Sequence, residues 1–187
     1  MEVPYFKHIA QALPETIVQK VVTHADNATW VKAKIQGEEG TQELDLSVRR
    51  GERTFIRDEQ LIADIYKAIQ KDVPQSLVDG QLVGPNSQMT LLWYSAGDYF
   101  KMHYDGDYMN EKGQEALITV QMYIDASDDL IGGGTTFFHD DAETIYKAVP
   151  CRVGDAVIFH HDWLHQGDLV QRGEKMALRL DIMYEVQ

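Results

Sequence analysis

The run from Glu174 to Tyr184 constrains the fold more than any other stretch. Extended, it places Lys175, Ala177, Arg179 and Asp181 on one face and Met176, Leu178, Leu180, Ile182 and Tyr184 on the other. The apolar face must pack against a helix or a second sheet. The opposite face is charged and needs partners if it points into a β-rich core, unless the strand is a solvent-facing edge. A lysine at the start of such a strand calls for an anion beside its ammonium.

Period-two segments precede it at Met89–Tyr94, Leu117–Asp125, Thr135–Phe138, Ile145–Val149 and Ala156–His160, separated by Gly, Asp and Asn. So many short strands suggest a sandwich or jelly roll. The earlier chain reads differently. Pro14 opens a helix to about His24, with Ile17, Val18, Val21 and Val22 on one face. Ala28–Gln36 alternates like a strand, and residues 37–54 read as a loop with a short strand at Leu44–Val48. Asp58 caps a second helix to about Lys71, striped by Leu61, Ile62, Ile65 and Ile69, and Pro74 stops it. Residues 1–13 read as a lead-in. The expectation is one domain over residues 1–187, with 1–80 as helical support and 85–187 as the β core.

A net charge of −13 argues against a nucleic-acid or anionic membrane partner. The single cysteine, Cys151, allows no internal disulfide and fits a reducing compartment. The first residues lack a signal-peptide pattern, and no apolar run reaches the roughly 18 residues of a membrane span, so the expected location is cytoplasmic.

His103 and Asp105 are two residues apart and share one side of an extended chain. A second histidine would complete two imidazoles and one carboxylate, the ligand set of non-heme Fe(II) oxygenases. Alone, His-x-Asp is also an ordinary polar strand end. His139, His160, His161 and His165 are the downstream candidates. His160 and His161 continue a strand and suit packing, whereas His165 follows a short loop and stands ten residues before Lys175.

Together these segments resemble the Fe(II)- and 2-oxoglutarate-dependent oxygenases, in their prolyl 4-hydroxylase-like branch. The resemblance spans roughly residues 88–187. It rests on Tyr94-x-x-Gly97 followed by His103-x-Asp105, Gly132-Gly133-x-Thr135-x-Phe137, Gly154–Phe159, and His165 with Val170-x-x-Gly173-x-Lys175. It implies a mainly β fold with N-terminal helices, a double-stranded β-helix (jelly-roll) barrel buttressed by helices. It also implies His103, Asp105 and His165 as iron ligands, with no further catalytic residue. Lys175 matches the cation that takes the distal carboxylate of 2-oxoglutarate. Tyr123 matches a tyrosine whose hydroxyl joins that lysine, and Tyr94 one that lines the pocket. Thr119 and Gln121 share the face of Tyr123, the first expected near the cofactor and the second near substrate. Arg179 is the expected substrate-recognition residue, its guanidinium needing a carboxylate from substrate, from Asp181 or from another acid. Phe100 stands where the family often has tyrosine.

The implied cofactors are Fe(II), 2-oxoglutarate as cosubstrate and ascorbate as reductant. The implied reaction is hydroxylation of a C–H bond, of a peptidyl proline, another peptidyl residue or a free amino acid, with release of succinate and CO2. A cupin-like metal or small-molecule binder without turnover is the competing reading, and Lys175 argues against it. A zinc hydrolase would need a general base that no zinc motif here supplies.

Overall fold

The structure is a computed structural model that describes residues 4–36, 41–78 and 80–186. Residues 37–40, at the start of the expected loop, and residues 1–3 of the lead-in lie outside the described residues. The elements run β1 (Phe6–Ile9), α1 (Glu15–Asp26), β2 (Val31–Lys32), β3 (Ile35–Gln36), β4 (Gln42–Glu43), β5 (Glu52–Ile56) and α2 (Glu59–Ile69). There follow β6 (Ser76–Leu77), β7 (Gly80–Ser95), β8 (Phe100–His103), β9 (Glu115–Ala126), β10 (Ile131–Gly132), β11 (Thr135–Phe138) and β12 (Ile145–Val149). The chain ends with β13 (Ala156–His160), β14 (Leu164–Gly167), β15 (Val170–Arg172) and β16 (Glu174–Val186).

The strands form the jelly roll that the resemblance implied. The major sheet is ordered β1-β13-β9-β16-β7-β5-β2, and the minor sheet β12-β11-β14-β8. β16 therefore lies in the middle of the major sheet, between β9 and β7, and is no edge strand. Its apolar face joins one core with the stripes of both helices, where Val21, Ile65, Ile69, Leu178, Leu180 and Ile182 are fully buried. Burying each such side chain contributes roughly 1.5–3 kcal/mol. The helices thus cover the outside of the sheet, and β16 turns its charged face toward the barrel interior.

α2 starts where expected: the Asp58 carboxylate accepts the Leu61 N–H at 2.9 Å. Its end tightens into a 3₁₀ turn at Gln70–Asp72 ahead of Pro74.

Several local expectations need correction. Ala28–Gln36 holds only the two-residue β2 and β3: Trp30 and Ala33 pack inward, but Val31 and Lys32 are exposed and only they pair with β5. Leu44–Val48 is not a strand. The Asp45 carboxylate takes the Ser47 N–H and Oγ–H, a local turn that competes with pairing. β5 begins inside the expected loop, its charged Glu52 and Arg53 masking a strand that buries Thr54 and Ile56. β1 lies in the expected lead-in and pairs with β13. β7 runs back to Gly80 through Gly84 and Pro85, which β16 accommodates by register shifts after Leu180 and Met183.

Candidate active site

His103 ends β8 and His165 lies in β14, and the two are direct cross-strand partners in the minor sheet. Their rings stand 4.3 Å apart. Asp105, two residues beyond β8, brings its Oδ1 to 4.0 Å from Nε2 of both imidazoles. One donor atom from each of the three residues falls within a 4.8 Å cluster, which could hold a metal ion.

The surroundings prepare that donor set. Nδ1 of His103 faces the Lys101 carbonyl at 2.7 Å, and Nδ1 of His165 the Trp163 carbonyl at 2.8 Å. Each Nδ1 must carry the proton to donate to a carbonyl, so each Nε2 presents a lone pair to the cluster. Burial lowers the basicity of both rings, taking His103 down to about 3, so they stay neutral. Phe100 stacks on His103 at 3.5 Å and Phe137 on His165 at 5.5 Å, which fixes the ring planes.

Burial alone would push the Asp105 carboxyl up. The Arg179 guanidinium, and then the histidines, override it and hold Asp105 well below the usual carboxylate range. Arg179 donates to Asp105 Oδ1 at 2.7 Å and to Asp181 Oδ1 at 2.8 Å. Thr119 donates to Asp105 Oδ2 at 2.6 Å. Two neutral imidazoles and an ionised carboxylate suit a divalent iron ion with positions left open.

A narrow cleft leads inward from this cluster, lined by Tyr94, Phe159, Lys175, Ala177 and Gln121 among others. Lys175 is 4% exposed. Its Nζ donates to the Gly133 carbonyl and lies 4.9 Å from the Tyr94 ring centre and 5.8 Å from that of Tyr123. Among the described residues no carboxylate comes within ion-pair distance of it. Burial pushes its ammonium down to about 8. The site therefore keeps a buried cation with space beside it and no anion of its own.

The sequence-expected residues gather here, with three changes of partner. The Tyr123 hydroxyl pairs with Thr135 Oγ1 at 2.8 Å rather than with Lys175, and Gln121 donates to the same oxygen at 2.6 Å. Thr119 serves Asp105. Arg179 takes Asp181, one of the partners the sequence offered, and Asp105 as well. His139, His160 and His161 stay out of the cluster.

Arg49 was not anticipated. Its guanidinium lies 4.3 Å over Phe100 and donates to the Tyr94 hydroxyl at 3.4 Å. It sits in a polar stretch with no periodicity, so no sequence signal could have found it. Thr135 opens the buried strand β11 and turns its hydroxyl to Tyr123 and Gln121.

Residues 89–180 match the model of the 2OG-Fe(II) oxygenase superfamily. Over these residues the chain belongs to that superfamily. The superfamily works with Fe(II) and 2-oxoglutarate. A comparison with curated protein sequences gives no match. Among solved structures, the chain resembles a viral collagen prolyl hydroxylase from Paramecium bursaria Chlorella virus-1, solved as a 2OG complex. The TM-score is 0.67 at 19% identity over 96% of each chain. It also resembles a Pseudomonas putida prolyl-4-hydroxylase (TM-score 0.68, 15% identity, 97% of this chain and 94% of that one). A third is a prolyl hydroxylase from Trichoplax adhaerens, in complex with a hypoxia inducible factor oxygen degradation domain peptide fragment. Its TM-score is 0.69 at 16% identity, over 95% of this chain and 82% of that one. At these identities the likeness is one of fold. No helix among the described residues is long and apolar enough to cross a membrane.

Proposed function

We propose that this oxygenase hydroxylates an amino-acid residue within a peptide, with proline the leading candidate, and releases succinate and CO2. The observation that carries the reading is Lys175, a buried ammonium with no carboxylate partner among the described residues, on the same cleft as the His103–Asp105–His165 cluster. A plain metal or sugar binder has no use for that cation, which counts against a cupin-like role.

His103, Asp105 and His165 would hold Fe(II), whose part is to couple dioxygen to the oxidation of 2-oxoglutarate and of the substrate C–H bond. Lys175 binds the distal carboxylate of 2-oxoglutarate, replacing a lost hydration shell with a charge-assisted bond. The Tyr94 and Tyr123 rings flank that ammonium and limit the directions from which an anion can reach it. Arg179 and Thr119 fix both oxygens of Asp105, so the carboxylate keeps its orientation when substrate exchanges. Leu92, Phe159 and Ala177 keep water from the inner cleft.

The peptide assignment draws on the wide groove outside the cleft, about 1050 Å³ in volume. It draws also on the three similar structures named above being prolyl hydroxylases, one of them solved with a peptide. Anaerobic addition of Fe(II) and 2-oxoglutarate should give the weak visible band of a chelate. Succinate release should then follow with prolyl peptides, each product one oxygen heavier. Absence of the band refutes the oxygenase assignment of these residues. A band with succinate released only for free amino acids refutes the peptide assignment.

A further inference from the structure

The outer groove has an unusual charge pattern. Lys34, Arg49, Arg53 and Arg57 all line it. The chain carries 30 acidic and 17 basic residues, so partners for these cations are plentiful. Elsewhere bases find them: Lys7 pairs with Asp72, Lys20 with Asp64, Lys32 with Glu52 and Arg172 with Asp129. Among the described residues, no carboxylate pairs with any of the four groove cations. Four carboxylates line the groove as well: Asp105 and Asp181 are taken by Arg179, Asp162 lies 3.4 Å from His160, and Asp107 pairs with none of the four cations.

The placement is built rather than incidental. Arg53, Phe55 and Arg57 share one side of the β5 segment, while Thr54 and Ile56 point into the core. The Arg53 guanidinium lies 5.3 Å from the Phe55 ring centre, and its Nε is buried without a partner. Arg49 Nε is also buried and unpartnered. Burial, and then the nearby charge of Arg49, make Arg53 less basic than usual, which is the mark of a cation lacking its counter-ion. Strand register ties β5 to the reaction centre: Phe55 pairs with Thr90, Thr90 with Arg179, and Arg179 with Gln121.

We propose that this groove receives an extended peptide bearing an acidic side chain, and that Arg53 and Arg57 bind its carboxylate. The inference rests on the peptide-hydroxylase reading above. β5 and β16 are separated by two strand spacings, about 10 Å, and an extended peptide advances about 3.3 Å per residue. An extended peptide therefore needs about three residues to run from Arg179, beside Asp105, to β5. Exposed Tyr104, Tyr108 and Met109 in the same groove offer apolar surface to the rest of the peptide. A nucleic acid would also answer to arginines, but the net charge of −13 opposes the approach of a polyanion far more than that of a short peptide.

The test is selection of a randomised peptide library, with Asp balanced against Asn and Glu against Gln, on the immobilised full chain. Bound peptides should be enriched in acid over amide by about threefold, the effect of one partly exposed ion pair. The double variant Arg53→Gln/Arg57→Gln should lose the enrichment. Arg172→Gln, which removes one positive charge at an exposed pair away from the groove, should keep it. Equal capture of acid and amide, or enrichment that survives the double variant, overturns the proposal. So does an oligothymidylate that binds more tightly than the selected peptides. The 2-oxoglutarate band, recorded on the same wild-type sample, reports separately on the oxygenase reading.

Discussion

Replacing Lys175 by methionine should stabilise the ligand-free protein while removing its affinity for 2-oxoglutarate. The ammonium drops from its ordinary 10.5 to about 8 because it is buried without an anion. At about 1.4 kcal/mol per pH unit, keeping it charged in the folded state costs about 3 kcal/mol below pH 8. Methionine fills similar space and removes that cost, while leaving the Gly133 carbonyl unpaired returns about 1–2 kcal/mol. The net gain of about 1–2 kcal/mol corresponds to a rise in Tm of roughly 2–8 °C for a chain of this size. The pH dependence has a definite sign. Between pH 8 and 10.5 the unfolded lysine holds a proton that the folded one has lost, so wild-type stability rises with pH relative to the variant. Below pH 8 both states are protonated and the difference is constant. An anion in the cleft raises the lysine again and removes the trend. Thermal unfolding of both proteins from pH 7 to 10, with and without Mn(II) and 2-oxoglutarate, measures all of this. Calorimetry should show 2-oxoglutarate binding weakened by roughly 100-fold or more in the variant. A lower Tm for Lys175→Met, or a wild-type minus variant difference that falls with pH, would refute the account of Lys175 as a cation awaiting its anion.

Three further substitutions probe the rest of the site. Thr119→Val removes the donor to Asp105 Oδ2 and should weaken Mn(II) binding by about 10–100-fold with the circular dichroism unchanged. Arg179→Leu should lower metal affinity and turnover together, because the guanidinium grips the same Asp105 oxygen that faces both histidines. Turnover lost at full metal occupancy would instead return Arg179 to the substrate-binding role that the sequence suggested. Gly132 sits at φ +80, and a Cβ there would lie 2.1 Å from the Leu169 carbonyl oxygen. Gly132→Ala should therefore cost about 2–4 kcal/mol in urea denaturation, and an unchanged midpoint would contradict that packing.

The alternation of β16 was fully legible, because a central strand with one face on helices and one in a barrel must read apolar and polar in turn. The two helices were legible for the same reason, with the Asp58 cap marking one start. The strands that went unread are those whose inward residues are few or whose ends carry breakers: β5 behind Glu52 and Arg53, and β7 behind Gly84 and Pro85. In the site, identities were readable from spacing but pairings were not. Nothing in the sequence says that the Tyr123 hydroxyl turns to Thr135, or that Arg179 reaches Asp105 as well as Asp181. Such choices are made across strands, by register. The groove cations were hidden because Lys34, Arg49, Arg53 and Arg57 look like an ordinary solvated stretch until the sheet gathers them.

His103 and His165 belong to the minor sheet, whereas Lys175 stands on the major one. A molecule that reaches from the imidazoles to the ammonium must therefore straddle the seam between the two layers. Loading the centre then works like a rivet through both halves of the barrel. The loaded protein should resist proteolysis across the whole β core, and not only at the loops that meet the ligand.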